Sequence, residues 1–325
     1  MDQHYDFPYY AWGKRRYNSI SEHLKSMYGR KLYKLSLQSG CTCPNRDGKI
    51  STGGCIFCSE AGSGDFAADA ELSISDQISE AKKFVIDKLP ELDLSVPNFI
   101  AYFQSYTNTY GPIEKLRAIF TEAINHPDIA ILSIATRPDC LGPEVLDLLK
   151  ELNKIKPVWI ELGLQTVSEQ SAELINRGYE LPVFEEAVYR LNSIGIQVIV
   201  HVILGLPYET PEMMLETIDY CNSLPIRGIK LQLLHILENT PLHDMYLHSY
   251  AIRHHLALME LEDYLYVLEL CVERLSPDII IHRLTGDGPK SLLVAPTWSA
   301  DKKMVLNTFH QMLAANNSWQ GKSFE

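Results

Sequence analysis

Short apolar runs alternate along this chain with longer segments in which apolar residues recur every three or four positions. Short runs rich in Val, Ile, Leu and aromatic residues are typical of buried strands, and the longer spacing is typical of amphipathic helices. The predicted strands span residues 32–37, 98–103, 129–136, 158–164, 197–204 and 228–235. The predicted helices span residues 75–89, 113–125, 143–153, 168–176, 183–194 and 211–223.

A predicted helix lies in every interval between the predicted strands. This alternation indicates a parallel sheet with right-handed crossovers, and strands that are apolar on both faces fit burial beneath helices. No Gly-x-Gly-x-x-Gly follows the first strand, which disfavours a dinucleotide-binding sheet, and six units fall short of an eight-fold barrel. The predicted fold is therefore an α/β protein with a partial (β/α)6 TIM-like barrel.

The chain is predicted to form one globular unit with three parts. Residues 1–30 form an N-terminal basic arm, residues 31–240 form the barrel core, and residues 241–325 form a C-terminal α/β cover. The cover contains a predicted helix at 258–275, a strand at 279–284 and a helix at 302–315. No linker, repeat or low-complexity tract separates a second domain.

Composition places the chain among ordinary globular proteins. Its 325 residues are 46% hydrophobic and 22% charged, enough for a large core. The first twenty residues contain no apolar signal segment, and the most apolar stretch, 198–206, is too short to span a bilayer. Seven cysteines without a signal peptide fit a reducing compartment. We therefore expect a cytoplasmic protein that does not enter a membrane.

Charge is distributed unevenly. The formal net charge of −12 argues against bulk electrostatic binding of nucleic acid. Between residues 14 and 34, however, basic residues outnumber the single acidic residue Glu22 and are interleaved with tyrosines. The basic residues of this segment are Lys14, Arg15, Arg16, Lys25, Arg30, Lys31 and Lys34. Two interpretations stay open: a solvated helix face, which is the commoner fate of a charge run, and a surface that follows phosphates.

Three cysteines follow the first predicted strand with the spacing C-x11-C-x2-C. Cys43, Cys55 and Cys58 in one turn-rich loop would leave one corner of a four-iron cluster without a protein ligand, and an open iron is useful for chemistry. Cys41 adds an alternative, because four cysteines could close a tetrahedral zinc site. The pattern favours iron–sulfur over zinc and leaves zinc open. A disulfide is a third reading, for which the spacing offers no framework.

Polar residues interrupt or follow the other predicted strands. In parallel α/β folds, ligands bind where strands end and loops begin. Each polar residue also has an ordinary structural reading: Arg137 could pair with Asp139, and His201 could be a buried histidine with satisfied hydrogen bonds. Their convergence on one rim favours a binding site. The candidates of this set are Gln104, Thr107, Arg137, Glu161, Gln165, His201 and Gly205.

The order of these motifs resembles the radical S-adenosylmethionine (SAM) superfamily. The resemblance rests on the cysteine triad, Glu161-Leu-Gly-Leu-Gln-Thr, Asn176-Arg-Gly-Tyr and His201-Val-Ile-Leu-Gly-Leu-Pro. A closer resemblance, to the YhcC/YtqA-like family related to the catalytic subunit of elongator, rests on four more motifs. They are Cys43-Pro-Asn-Arg-Asp-Gly, Thr107-Asn-Thr-Tyr, Thr136-Arg-Pro-Asp-Cys and Arg283-Leu-Thr-Gly-Asp-Gly-Pro. Together the motifs run from about Trp12 to Trp298.

The resemblance implies a [4Fe–4S] cluster on Cys43, Cys55 and Cys58, with S-adenosylmethionine on the fourth iron. It implies that Arg177 pairs with the carboxylate of the cosubstrate, for which a guanidinium offers a bidentate fork. Gln165 is then expected at the carboxylate or ribose, and Gly205 at the adenine. His201 stands where relatives often have a ribose-binding aspartate. The remaining residues expected to bind the cosubstrate are Gln104, Thr107, Arg137 and Glu161.

The chemistry implied by the resemblance is reductive cleavage of S-adenosylmethionine to a 5'-deoxyadenosyl radical that abstracts a hydrogen atom. The electron would come from a donor such as flavodoxin or ferredoxin. Kinship with elongator points to the wobble uridine of tRNA, with remodelling of its C5 side chain as the preferred reaction. Two alternatives remain. One is a radical SAM enzyme that acts on a small metabolite, and the other is a zinc-bound RNA-binding or scaffold protein without catalysis.

Overall fold

The protein is described by a computed structural model, which covers residues 12, 15–62, 64, 67–86, 93, 95–286 and 288–324. Its strands are β1 (Tyr33–Leu37), β2 (Phe99–Phe103), β3 (Ile129–Thr136), β4 (Val158–Gln165), β5 (Gln197–Leu204), β6 (Gly228–Leu233), β7 (Ile236–Leu237), β8 (Ile280–Arg283) and β9 (Leu293–Ala295). Seven of them form one parallel sheet in the order β1-β2-β3-β4-β5-β6-β8. The sheet curls into a half-barrel, which confirms the predicted open barrel. Strands β7 and β9 pair antiparallel beside it.

Helices fill the connections between the parallel strands, and others lie before the first strand and after the last. They are α1 (Ile20–Tyr28), α2 (Ile74–Ile86), α3 (Ile113–Asn125), α4 (Pro143–Leu152), α5 (Glu169–Leu174), α6 (Leu181–Ser193), α7 (Pro211–Asn222), α8 (Pro241–His248), α9 (Tyr250–His254), α10 (Leu261–Arg274) and α11 (Lys302–Ala315). Every residue of β2 and β3 is buried, as expected for central strands covered on both faces. Phe103 on β2 meets Phe120 on α3 edge to face, with ring centroids 5.1 Å apart.

One predicted strand belongs to a different part of the fold from the part that was expected. Residues 279–284 were predicted as a strand of the C-terminal cover, but β8 pairs parallel with β6 and extends the main sheet. The reason is that α10 between these strands serves as a crossover helix, so the βαβ repeat continues for one more unit. The short elements α8, α9, β7 and β9 were not predicted, because segments of two to eight residues carry little periodicity.

The N-terminal segment lies against the C-terminal part of the chain. Ser19 forms an isolated parallel bridge with Ile281. The guanidinium of Arg15 lies 2.7 Å from His310 Nε2, and Arg16 donates to the backbone oxygen of Ser318 at 3.2 Å. The described part of the predicted basic arm is therefore fastened to the end of the molecule that contains α11.

Several basic residues of the arm make contacts within the protein instead of presenting a continuous face to solvent. Lys25 pairs with Glu22 at 2.6 Å, and Arg30 donates to the backbone oxygens of Tyr28 and Pro97. Lys34, which the sequence analysis grouped with these basic residues, lies on β1 instead, and its ammonium points into the barrel. Lys14 lies outside the described residues. No helix among the described residues is long and apolar enough to cross a membrane.

Candidate active site

A cavity of about 190 Å³ opens at the carboxyl ends of the parallel strands. The loops after β1 to β4 and the inner face of the barrel supply its walls. It brings together nearly all the residues that the sequence suggested. They are Cys43, Cys55, Cys58, Gln104, Thr107, Arg137, Glu161, Gln165, Arg177 and His201. Gly205 is absent from the lining: its φ is +86°, and a side chain there would meet Leu258 at 3.2 Å.

The three cysteines of the C-x11-C-x2-C motif are free thiols on the wall of this cavity. Burial raises the pKa of the Cys55 thiol to about 12, and the neighbouring Cys58 and Cys43 add to the effect. Three thiolates this close repel one another, so a positively charged group is needed to hold all three ionised. The donor set therefore suits a metal centre.

Cys41 lies apart from the other three. It is buried, is not part of the cavity lining, and its Sγ lies 3.9 Å from the backbone oxygen of Asn108. Within the described ranges no three His, Cys, Asp or Glu side chains converge closely enough to hold a single metal ion. The arrangement thus gives no support to a zinc ion held by all four cysteines. The three lining thiols likewise do not converge on one metal ion, and they stand on the wall of the cavity.

The cysteine loop is fixed by polar contacts within itself and with the segment that contains Asn176. Asn45 donates from Nδ2 to the backbone oxygen of Asn176 at 2.6 Å and lies 3.6 Å from Cys55 Sγ. Asn176 in turn donates to the backbone oxygen of Gly54 at 2.8 Å. Arg46 donates to the backbone oxygens of Cys58 and Ser59 at 3.1 and 2.6 Å. A loop without regular structure is thereby held in one conformation.

Arg177 is almost completely buried, with 1% of its surface exposed. Its Nη1 donates to the backbone oxygen of Thr166 at 2.8 Å, and its Nε donates to the backbone oxygen of Tyr179 at 3.0 Å. Its Nη2 reaches both carboxylate oxygens of Glu169, at 3.1 and 3.2 Å. The Glu169 side chain is 58% exposed, so this ion pair is open to solvent on the side of Glu169.

Arg137 forms a bidentate pair with Asp139, at 2.9 and 2.8 Å. This is the ordinary structural reading that the sequence left open. Its Nη1 also donates to the backbone oxygen of Arg177 at 2.8 Å. The ring of Tyr179 lies close to both guanidinium groups, 5.0 Å from that of Arg137 and 4.9 Å from that of Arg177. The two arginines and the tyrosine form one rigid side of the cavity.

The remaining rim residues keep polar groups at the cavity. Thr107 is buried, and its backbone nitrogen donates to the backbone oxygen of Thr42 at 3.2 Å. Gln104 accepts from Ser36 Oγ at 3.4 Å. Gln165 has a φ of +63°, an uncommon conformation for a residue with a side chain. Such strained positions cluster at functional sites, because the surrounding structure must stabilise them.

Below the rim, Glu161 is the centre of a buried ionic network. Its Oε1 accepts from Lys34 Nζ at 2.8 Å and from Ser133 Oγ at 2.9 Å. Its Oε2 lies 2.7 Å from His201 Nε2 and also accepts from Lys230 Nζ. The Glu161 side chain has no exposed surface. All its lone pairs are thus satisfied from within the protein.

The protonation states of Glu161 and His201 depend on two opposing effects, burial and the charges of neighbouring groups. Burial raises the pKa of Glu161, but Lys230, Lys34 and His201 outweigh it and hold that pKa well below its ordinary value. Burial, with help from Lys230, lowers the pKa of His201 to about 4. At neutral pH the carboxylate is therefore ionised and the imidazole is neutral, with its Nε2–H directed at Glu161.

The sequence analysis missed several members of this network. Lys230, Tyr102 and Arg283 all line the barrel interior, and Lys230 Nζ donates to the Tyr102 hydroxyl at 3.1 Å. In the sequence, Lys230 is a single charged residue inside the apolar strand β6. The same feature identified Glu161 as a candidate in β4. The register confirms the shared face, since His201, Lys230 and Arg283 are paired across three adjacent strands.

Comparison with known families gives two adjoining matches. The family described as Radical SAM superfamily matches residues 43–221, and the Radical_SAM C-terminal domain matches residues 226–315. The uncharacterized protein YtqA of Bacillus subtilis is 41% identical over 325 residues, which cover all of this chain and 98% of YtqA. The protein YhcC of Escherichia coli is 33% identical over 286 residues, 88% of each chain.

Two further similarities are more distant. A tRNA uridine(34) acetyltransferase of Dehalococcoides mccartyi is 28% identical over 137 residues, which are 40% of this chain and 28% of that protein. The solved structure of Methanocaldococcus infernus Elp3 with an N-terminal deletion superposes with a TM-score of 0.64 at 14% identity. The superposition covers 89% of this chain and 64% of that one, and at this identity it concerns the fold alone.

Proposed function

This chain belongs to the radical SAM superfamily, and from that membership we propose that it cleaves S-adenosylmethionine reductively at a cluster held by Cys43, Cys55 and Cys58. Enzymes of this family use a [4Fe–4S] cluster and S-adenosylmethionine. The observation that carries the proposal is the convergence of three free thiols and the predicted polar residues on one cavity. When bound and reduced, the cluster supplies the electron that splits the cosubstrate into methionine and a 5'-deoxyadenosyl radical.

The residues of this chain fit that role in distinct ways. Three thiolates are one fewer than the irons of the cluster, so one iron is left for the cosubstrate. Arg177 would bind the carboxylate of methionine, and the exposed Glu169 that it now contacts is the group to be displaced. Gln104 and Thr107 would offer polar groups to the cosubstrate, and the strained backbone of Gln165 would direct its amide toward it.

Other expected residues are better suited to shaping the cavity than to direct contact. Glu161 and His201 satisfy each other and two lysines, so we assign them to fixing the charge of the inner wall. Arg137 would orient Tyr179 and the backbone of Arg177. Gly205 would make room for Leu258 and would act only through the shape of the rim. Walls fixed in this way exclude water from a reactive intermediate.

For the substrate we propose the C5 side chain of a tRNA wobble uridine. The support is the partial match to a tRNA uridine(34) acetyltransferase and the shared fold with Elp3. The test is anaerobic incubation of the reconstituted protein with S-adenosylmethionine and bulk tRNA, followed by nucleoside mass spectrometry. The proposal predicts a mass change in uridine 34 that requires S-adenosylmethionine. An unchanged nucleoside profile with tRNA from a strain that lacks this protein would contradict it.

A second candidate is a small metabolite, and one observation favours it. The basic arm, for which a surface that follows phosphates was one of two interpretations, makes internal contacts through Arg15, Arg16 and Arg30, on a protein of net charge −12. A measurement of tRNA binding distinguishes a tRNA substrate from a small metabolite. Phosphate contacts would lower log affinity by about 0.7 to 0.9 per contact for each log unit of salt. Because Lys31 is exposed and makes none of these internal contacts, reversing it to Glu tests this segment without breaking them.

A further inference from the structure

Asn45 lies in the cysteine loop, two residues after the proposed ligand Cys43, and has no exposed surface. A tight turn fixes its position, because the backbone nitrogen of Arg46 donates to the backbone oxygen of Cys43 at 2.8 Å. Pro44 occupies the second position of this turn, where its fixed φ is favourable. The sequence Cys-Pro-Asn-Arg therefore places the side chain of Asn45 at a defined point beside the thiols.

The amide nitrogen of Asn45 lies beside three acceptors. Its Nδ2 donates to the backbone oxygen of Asn176 at 2.6 Å. It also lies 3.4 Å from the backbone oxygen of Arg177 and 3.6 Å from Cys55 Sγ, which is a hydrogen-bond distance for an atom as large as sulfur. A carboxamide nitrogen has two hydrogens. One is committed to Asn176, and the second is left for the sulfur of Cys55 or the backbone oxygen of Arg177.

The orientation of this amide is fixed by its closest partner. Exchanging Oδ1 and Nδ2 of Asn45 would bring two oxygens together at the position where Nδ2 is now 2.6 Å from the backbone oxygen of Asn176. Neither oxygen has a hydrogen to donate, so the exchanged orientation is repulsive. The nitrogen of Asn45 is therefore the atom that faces Cys55.

The amide oxygen of Asn45 makes no comparable contribution. Oδ1 is buried and accepts no hydrogen bond from the described residues. A side chain at Gly178 would lie 2.6 Å from it, so the backbone of Gly178 covers this oxygen closely and leaves no room there for a ligand. A buried acceptor without a partner costs free energy. The contacts of the nitrogen must therefore explain an asparagine at this position.

The contact between Asn45 and Cys55 strengthens when the thiol loses its hydrogen. As a thiol, Cys55 donates to the backbone oxygen of Asn176 at 3.6 Å. As a metal ligand it is a thiolate, which can only accept. A hydrogen bond to a charged acceptor is stronger than one to a neutral carbonyl. The second N–H of Asn45 then favours Cys55 Sγ over the backbone oxygen of Arg177.

We propose that Asn45 is a positioning residue that raises the reduction potential of the cluster through a hydrogen bond from Nδ2 to Cys55 Sγ. This inference rests on the proposed function, because it requires a cluster on Cys55. Hydrogen bonds to the ligand sulfurs are among the factors that set the potential of an iron–sulfur centre. One-electron reduction adds a negative charge, and an N–H directed at a ligand sulfur stabilises that charge. Removing this N–H should therefore lower the potential.

The test is a redox titration of the anaerobically reconstituted protein, with dithionite as the source of electrons. The electron paramagnetic resonance signal of the reduced cluster measures the potential without any turnover. Asn45→Leu removes both N–H groups and keeps a side chain of similar size. The equilibrium constant for reduction should fall about tenfold, because one charge-assisted hydrogen bond is lost, and this corresponds to a potential that is more negative by about 59 mV.

The matched control is Asn176→Gly. It removes the hydrogen bonds from the Asn176 side chain to Ser51 and Gly54, at 3.0 and 2.8 Å, but keeps the backbone oxygen that Asn45 contacts. Glycine also adopts the φ of +56° at this position without strain. The control loosens the same loop and leaves the contact with Cys55 in place, so its potential should equal that of the wild type.

If Asn45→Leu does not fold, Asn45→Ala repeats the measurement with the same expected shift. An unchanged potential in an iron-loaded Asn45 variant, or an equal shift in Asn176→Gly, would overturn the inference. Loss of iron from both Asn45 variants would also overturn it, because Asn45 would then retain the cluster instead of setting its potential. Wild-type protein without iron and without the resonance signal would contradict the proposed cluster itself, which is a separate result.

Discussion

The rim of the cavity and the floor beneath it both carry polar residues but use them differently. On the rim, the thiols of Cys43, Cys55 and Cys58 face the cavity, and the loop is held mainly through backbone groups. On the floor, Glu161 faces the same cavity but is fully satisfied by side chains of four other strands. Polar residues near one cavity therefore divide into thiols that line it and an ionic network in which buried side chains satisfy one another.

Substitutions on the rim and on the floor should therefore have different effects. Removing a rim ligand should abolish cluster binding and leave the fold, because the loop is fixed by other atoms. Removing a floor residue should destabilise the fold, because a buried ion loses its partner. Substitutions on each side test this contrast.

The largest effect is expected at the cluster thiols. Cys43→Ala, Cys55→Ala and Cys58→Ala should each lose most of the bound iron after anaerobic purification, because two thiolates do not retain the cluster. Iron and sulfide analysis measures this. Cys41→Ala is the matched control and should keep its iron, since Cys41 lies outside the cavity lining. Equal loss of iron from all four variants would instead support a metal centre that is held by all four cysteines.

The next effect is expected on the floor. Glu161→Ala should lower the free energy of unfolding by about 3–5 kcal/mol, because it leaves Lys230 buried without a counter-charge. Denaturant unfolding measures this. Glu186→Ala removes a glutamate that is 71% exposed and pairs with Arg190 at 3.7 Å, and should change stability by about 0.5 kcal/mol or less. Similar losses in both variants would show that the floor network contributes no more than a surface pair.

Arg177 joins the two regions, since it is buried like the floor and faces the rim. Arg177→Ala should weaken binding of S-adenosylmethionine by about 2–5 kcal/mol, because a buried charge-assisted pair is lost. Arg177→Lys should restore little of it, since an ammonium cannot reproduce the planar fork. Equilibrium binding to the iron-loaded variants measures both. Unchanged affinity in the two variants would limit Arg177 to holding Thr166 and Tyr179.

The smallest effect concerns acid stability. The folded protein lowers the pKa of His201 from 6.5 to about 4, so the unfolded state binds the proton more readily. The stability contributed by the neutral imidazole is complete above pH 6.5 and is lost as the pH falls toward 4, up to about 2 kcal/mol at pH 5. His201→Gln should therefore show a shallower decline over this range in pH-dependent unfolding. Parallel curves for variant and wild type would exclude this contribution.

The fold and the rim could be predicted because local sequence encodes them. Strand β3 and helix α3 were predicted to the residue, since apolar runs and periodicity need no knowledge of the rest of the chain. The cysteine spacing likewise identifies a loop by itself. The resemblance to a known family supplied the cofactors, which composition and spacing had left open.

The floor could not be predicted, because it depends on register between distant strands. Lys34 was assigned to the basic arm by its neighbours in sequence, yet its partner Glu161 lies 127 residues away. The same holds for Lys230, which is 69 residues from Glu161. The partners of Arg15 and Arg16 lie at the opposite end of the chain. A run of charged residues in the sequence shows which charged side chains are present, but it does not show which of them face solvent.

Production of 5'-deoxyadenosine tests the central claim most directly. Wild-type protein, reconstituted anaerobically with iron and sulfide and reduced with dithionite, should hold about four irons per chain and convert S-adenosylmethionine to methionine and 5'-deoxyadenosine in equal amounts. Cys55→Ala should produce neither. Iron-loaded wild-type protein that forms no 5'-deoxyadenosine under these conditions, with or without tRNA, would contradict the account.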